Sequence, residues 1–259
     1  GGQGYGLDTL GTEASLDKMS AGDLSAFHQK LAVPNNAVLA IFGDIKTNDI
    51  RAEVEKAFGL WPAGNGFRAP KHIPPGEGMR RVEQVRDKEQ AVAVLGYRGC
   101  SFFDEDRYAL ELIGEACSDL GSRLFLRIRE ELGLAYYVGA QSHPGFTQGH
   151  FSFYAGTSPK QLEQVEKELL AEAAKLRQDG LTDDELRRAK AKIIGQKKIS
   201  RQDLGGLATM SGLDELYGLG YESSEKDDEK YESITKQQIE AAAQKHLRPG
   251  QCVMAVTHP

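Results

Sequence analysis

Cysteine is scarce in this chain of 259 residues. Cys100, Cys117 and Cys252 are an odd number, and no C-x-x-C occurs. That argues against a thiolate zinc site or a thioredoxin-type motif, and leaves small buried hydrophobes as the plain reading. Long apolar runs are missing as well. The run AVLAIF at 37–42 falls far below the roughly 18 residues of a membrane-spanning helix, so no membrane span is expected. Gly1-Gly2-Gln3-Gly4-Tyr5-Gly6 carries neither the charged n-region nor the apolar h-region of a signal peptide. The abrupt start leads us to expect further sequence upstream. Positive charge is not in excess: 32 Lys and Arg face 38 Asp and Glu, a formal charge of −6, which argues against non-specific nucleic-acid binding. The compartment stays open between bacterial periplasm and cytoplasm.

Catalytic signatures are equally sparse. Neither H-E-x-x-H nor H-x-x-E-H occurs, and no G-x-S-x-G, P-loop or G-x-G-x-x-G follows a strand and opens a helix. The histidines are His28, His72, His143, His150, His246 and His258. His28 has no carboxylate at helical spacing. His143 and His150 can meet across a hairpin, but a catalytic zinc takes three protein ligands, so no metal is assigned to this chain. Gly205-Gly206 sits among helix formers and reads as a bend.

What is present describes a globular chain, with 40% hydrophobic and 27% charged residues. The length suits one large domain, or one domain plus part of another. Ser20 and Asp23 form a weak capping box ahead of Leu24, Phe27 and Leu31 at helical spacing. The run at 37–42 reads as a buried strand, and residues 47–59 as an amphipathic helix. A Pro/Gly-rich stretch at 62–80 then marks the best boundary. We therefore expect domains at 1–66 and 81–259, with a linker at 67–80. In the second, strands are expected at 91–95, 135–138, 150–154 and 252–256. Helices are expected from Asp104, over 122–132, from Ser158-Pro159 to Asp179, from the Thr182/Glu185 capping box, and over about 203–218 and 235–247. Helices in blocks between strands argue for α+β, a mixed or antiparallel sheet packed with helices, over an alternating α/β sheet.

One segment, 120–138, suggests chemistry. Arg129 lies near a helix C-terminus and Tyr136 begins the next strand, with Gly133 turning the chain between them. A guanidinium and a phenol placed this way can donate to a carbonyl, or to the oxyanion it becomes. The ordinary reading stands beside it: a cation favoured at a helix end and an aromatic in a strand.

Several segments, in order, resemble the insulinase (pitrilysin, mitochondrial processing peptidase) family of zinc metallopeptidases. They are Tyr5-Gly6 through Leu10-Gly11-Thr12-Glu13, and Pro34-Asn35-Asn36-Ala37-Val38 through Gly43-Asp44. Ser122-Arg123-Leu124-Phe125 through Arg129 to Tyr136 follows, then Leu181 to Leu186 with Ala189-Lys190, Leu216 to Tyr221, and Ile234 to Leu247. The resemblance implies homologous α+β domains paired around a chamber for unfolded peptides. One half would carry zinc on an H-x-x-E-H helix, and a neighbouring domain an Arg/Tyr pair, here Arg129 and Tyr136. Since the zinc helix is absent, the resemblance makes residues 1–66 the C-terminal half of a first domain and residues 81–259 a complete second domain. The partner would be a zinc-bearing half or subunit, and a homodimer of this piece is a further candidate assembly. The alternative is a non-catalytic structural or assembly subunit of the same family. This polypeptide alone is expected to bind no stoichiometric zinc and to cleave no peptide in a metal-dependent way. Elemental analysis with a chelator-controlled peptidase assay checks this, and stoichiometric zinc with chelator-sensitive cleavage would contradict it.

Overall fold

Strict alternation in the sequence AVAVLGYR puts Ala91, Ala93, Leu95 and Tyr97 on one side of a strand, and all four are buried. This strand is central to the sheet of the C-terminal unit. The structure, a computed structural model, describes residues 7–65 and 78–259. Contacts divide the chain into two units, 1–68 and 69–259. Most of the expected linker, residues 67–77, lies outside the described residues.

The N-terminal unit contains α1 (Glu13–Leu16), α2 (Ala21–Leu31) and α3 (Thr47–Phe58), with a 3-10 turn at Pro34–Asn36. The Ser20/Asp23 capping box closes in both directions. Asn35 pairs with both backbone groups of Gly64, donating to its carbonyl at 2.8 Å and accepting from its N–H at 3.0 Å. Val33 is buried there, and a Cβ on Gly64 would stand 2.5 Å from Val33 Cγ1. The strand expected at 37–42 is not formed among the described residues, and it is not buried: Val38, Leu39, Ile41 and Phe42 are exposed. The reason is physical. A strand closes its backbone hydrogen bonds on a neighbour, and the described part of this unit offers none.

The C-terminal unit begins with β1 (Arg80–Val85), β2 (Ala91–Arg98) and α4 (Asp106–Ala116). A π-helical segment, Phe125–Glu131, leads to β3 (Ala135–His143) and β4 (His150–Thr157). Helices α5 (Leu162–Asp179), α6 (Asp183–Ser200), α7 (Leu204–Leu216), α8 (Asp227–Ser233) and α9 (Lys236–His246) precede β5 (Cys252–His258). The sheet order is β1-β5-β2-β4-β3. β1 runs parallel to β5 and the other pairs are antiparallel, so this is the expected α+β fold with a mixed sheet. Two elements of this unit escaped the sequence. β1 is a charged edge strand exposed along its whole length, and α8 is a short acidic helix. The Pro159 start is also refined: a 3-10 turn, Pro159–Gln161, precedes α5.

Helix α4 packs on β3 and α5 on β2 and β4, and α9 packs against both helices. Leu95, Phe151 and Phe153 from the strands meet Leu112, Ile113, Leu169, Leu176 and Ile239 from the helices, all fully buried. The cysteines sit in or beside this core as free thiols, and burial pushes the Cys100 and Cys117 thiols up to about 12. Truncating Phe153 to alanine, at 0% exposure, is expected to lower unfolding stability by about 3–5 kcal/mol. Urea unfolding checks this; a loss below about 1 kcal/mol would mean that Phe153 does not carry the sheet–helix contact.

Candidate functional site at the turn into the third strand

The residues flanking Gly133 make one tight reversal. Gly133 has φ of +63° with open space around its Cα, the left-handed geometry that commonly ends a helix. The Leu134 N–H donates to Ile128 O at 2.9 Å, and the Gly133 N–H to Arg129 O at 3.1 Å. The residues that lead into β3 are thereby tied to the π-helical segment. Expected as an ordinary helix over 122–132, this segment has the wider π geometry, with the Leu132 N–H reaching Arg127 O at 3.2 Å. Such stretches are rare and frequently mark functional sites.

Arg129 leaves the segment near its C-terminal end. Its guanidinium carbon stands 4.8 Å from the Phe125 ring centroid, and its Nε lies 4.0 Å from a Glu130 carboxylate oxygen. The side chain is 44% exposed. Tyr136 is 58% exposed and occupies a special place in the register. Ala135 pairs with Thr157 and Tyr137 with Gly156, so Tyr136 is the extra residue of a β-bulge. Bulges re-aim a side chain and recur beside active sites. The bulge is held from both sides. The Thr157 hydroxyl donates to Leu134 O, and Tyr137 lies across Gly156, where any Cβ would come 2.2 Å from the ring. The structure thus puts the two predicted residues on the two limbs of one reversal, both accessible.

Two other arginines of this stretch are committed elsewhere. Arg123 donates from Nε to Glu185 Oε1 at 2.8 Å and from Nη2 to Glu185 Oε2 at 2.5 Å and Gly180 O at 3.2 Å. Arg127 reaches Glu168 on α5 at 3.3 Å and Glu131 at 3.0 Å. Burial alone would raise the Glu185 carboxyl. Its hydrogen bonds from Arg123, then from Thr182, outweigh that and hold it below the ordinary carboxylate value. The pairing with Glu185, 62 residues downstream, leaves no local signal in the sequence.

No group of three metal-ligating side chains occurs among the described residues. His143 and His150 do face each other, as register partners with ring centroids 4.6 Å apart, but they remain a pair. A separate cleft of about 400 Å³ lies between α4, β3 and α6. Its carboxylates are answered from within the chain: Tyr231 donates to Glu111, and Lys192 pairs with Glu115. Zinc ligation therefore does not fit the described residues.

Residues 18–193 match the family described as the peptidase M16 inactive domain. An uncharacterized zinc protease of Streptomyces coelicolor is 32% identical over 226 residues, which is 83% of this chain and 49% of that protein. A second, from Bacillus subtilis, is 28% identical over 220 residues, 83% of this chain and 52% of that protein. The chain thus spans about half the length of the curated relatives it matches. The crystal structure of a peptidase M16 inactive domain from Pseudomonas fluorescens superposes with a TM-score of 0.88 at 24% identity, covering 98% of this chain and 61% of that one.

The Glu185 carboxylate generates a pH prediction. A carboxyl whose folded pKa lies below its unfolded one contributes stability above the unfolded value and loses it as pH falls through the folded one. At pH 7 the parent is therefore expected to exceed Glu185→Gln in stability, with the gap closing as pH drops below the carboxylate range. Urea melts from pH 7 to pH 3 test this, and a gap independent of pH would contradict the ion-pair account.

Proposed function

The chain belongs to the peptidase M16 family as its inactive domain, and from that premise we propose that it is the half of a zinc-dependent metalloendopeptidase that carries no metal. In this reading, residues 1–66 are the end of a first peptidase-type domain and residues 81–259 a complete second one. The exposed apolar stretch at 37–42 then finds its partner strands in the remainder of a protein about twice as long. Zinc, held in another segment or subunit, would supply Lewis acidity.

The residues of this chain act on the substrate peptide. Arg129 donates from its guanidinium to the scissile carbonyl, and its fixed positive charge favours the tetrahedral oxyanion over the neutral ground state. Tyr136 donates its phenolic O–H to the same oxygen or to a neighbouring peptide carbonyl. Neither residue has to give up a proton, so the pair binds, orients and stabilises. The observation that carries this reading is the reversal at Gly133: two accessible donors on its two limbs, one of them aimed by a bulge, in a chain of this family.

In the complete zinc-loaded protease, Arg129→Ala and Tyr136→Phe are each expected to lower kcat by about 10²–10³-fold, with zinc content unchanged. Steady-state cleavage of a quenched fluorescent peptide, with metal analysis of each variant, tests this. Parent-like turnover in both variants would remove the catalytic role and leave the non-catalytic assembly subunit as the function.

A further inference from the structure

We propose, resting on the reading of Arg129 given above, that Arg123 is a positioning residue: it fixes the helical phase at which the Arg129 guanidinium leaves the chain. The argument starts from the segment's geometry. A π-helix has poorer intrinsic stability than an α-helix and survives where its surroundings impose it. Relaxation to α geometry would rotate every later side chain about the helix axis, Arg129 included. Both ends of the segment must therefore be held from outside: the Leu134 N–H to Ile128 O bond closes the C-terminal end, and the N-terminal end needs an anchor of its own.

Arg123 is placed to do this. It stands two residues before the π-helical stretch, with its side chain 17% exposed and that of Glu185 11% exposed. Its two hydrogen bonds to Glu185 form a planar fork, a geometry that fixes direction as well as distance. Its third bond, to Gly180 O, reaches the turn between α5 and α6. Glu185 is itself immobilised: its Oε2 accepts from the Thr182 N–H at 2.8 Å and the Thr182 hydroxyl at 3.0 Å in the capping box of α6. The clamp thus runs from the capped start of α6 to a residue two positions before the segment. Fully buried Leu124 and Ile128 hold the segment's depth, but apolar contacts tolerate rotation better than a fork does. Arg127, 41% exposed, adds a weaker tether on the solvent side. Of the three guanidiniums, Arg123 is the one whose binding is directional and shielded from water, and Arg129 the one left to act.

The test is a double-mutant cycle in the complete zinc-loaded protease, with a quenched fluorescent peptide as substrate and zinc content recorded for each variant. Arg123→Met is expected to lower kcat about tenfold, the scale on which small misplacements of a catalytic group are felt. In an Arg129→Ala background the same change is expected to lower kcat less than twofold, because what it positioned is gone. A residue that only supports the fold would cost the same factor in both backgrounds. Glu185→Gln carries the same cycle if Arg123→Met does not fold, since glutamine preserves the capping box while breaking the charged fork. Equal losses in the two backgrounds, or no loss in the first, would overturn the proposal. Parent-like kcat for Arg129→Ala alone would instead overturn the functional reading beneath it, so the two failures are told apart.

Discussion

The hydrogen bond from the Leu134 N–H to Ile128 O is the constraint on which the site rests. It closes the chain reversal, and it requires the left-handed turn at Gly133 and the widened helical turn before it. Ile128 and Leu134 are both buried, so the closure is made in the core and not at the surface. Arg129 and Tyr136 project from either side of it into solvent. A rigid interior junction with two exposed polar ends is what a site built from hydrogen-bond donors needs, since preorganised donors pay no ordering cost when charge develops.

Around this junction the sheet and helices act as a frame. β4 provides Gly156 beneath Tyr137 and Thr157 beside Leu134, so the bulge that presents Tyr136 is shaped by the neighbouring strand. The helix pair α5–α6 provides Glu168 and Glu185 for Arg127 and Arg123. Both contacts tie the stretch that carries Arg129 to the helices behind it. The polar cleft between α4, β3 and α6 follows a different logic, because Tyr231 donates to Glu111 and Lys192 forms an ion pair with Glu115.

Much of this was legible in the sequence, and the exceptions have physical causes. Strand β2 declares itself by alternation, and α6 by its Thr182/Glu185 box, because both signals are local. The Arg129–Gly133–Tyr136 spacing is likewise local: the helical segment, the turn and the strand fall where it puts them. β1 was missed because an edge strand exposed along its length needs no apolar alternation. The segment at 37–42 reads as buried because apolarity reports a preference for burial, while burial itself needs a partner, and the described part of that unit offers none. The π geometry of Phe125–Glu131 and the Arg123–Glu185 fork are long-range effects; neither composition nor periodicity encodes them.

The most direct measurement is a structure of the complete zinc-loaded protease bound to a phosphinic peptide, whose tetrahedral phosphinate imitates the oxyanion. The account predicts an Arg129 guanidinium nitrogen and the Tyr136 hydroxyl within hydrogen-bonding distance of the inhibitor backbone, with at least one of them on the phosphinyl oxygen. Both side chains facing bulk solvent away from the inhibitor would contradict it.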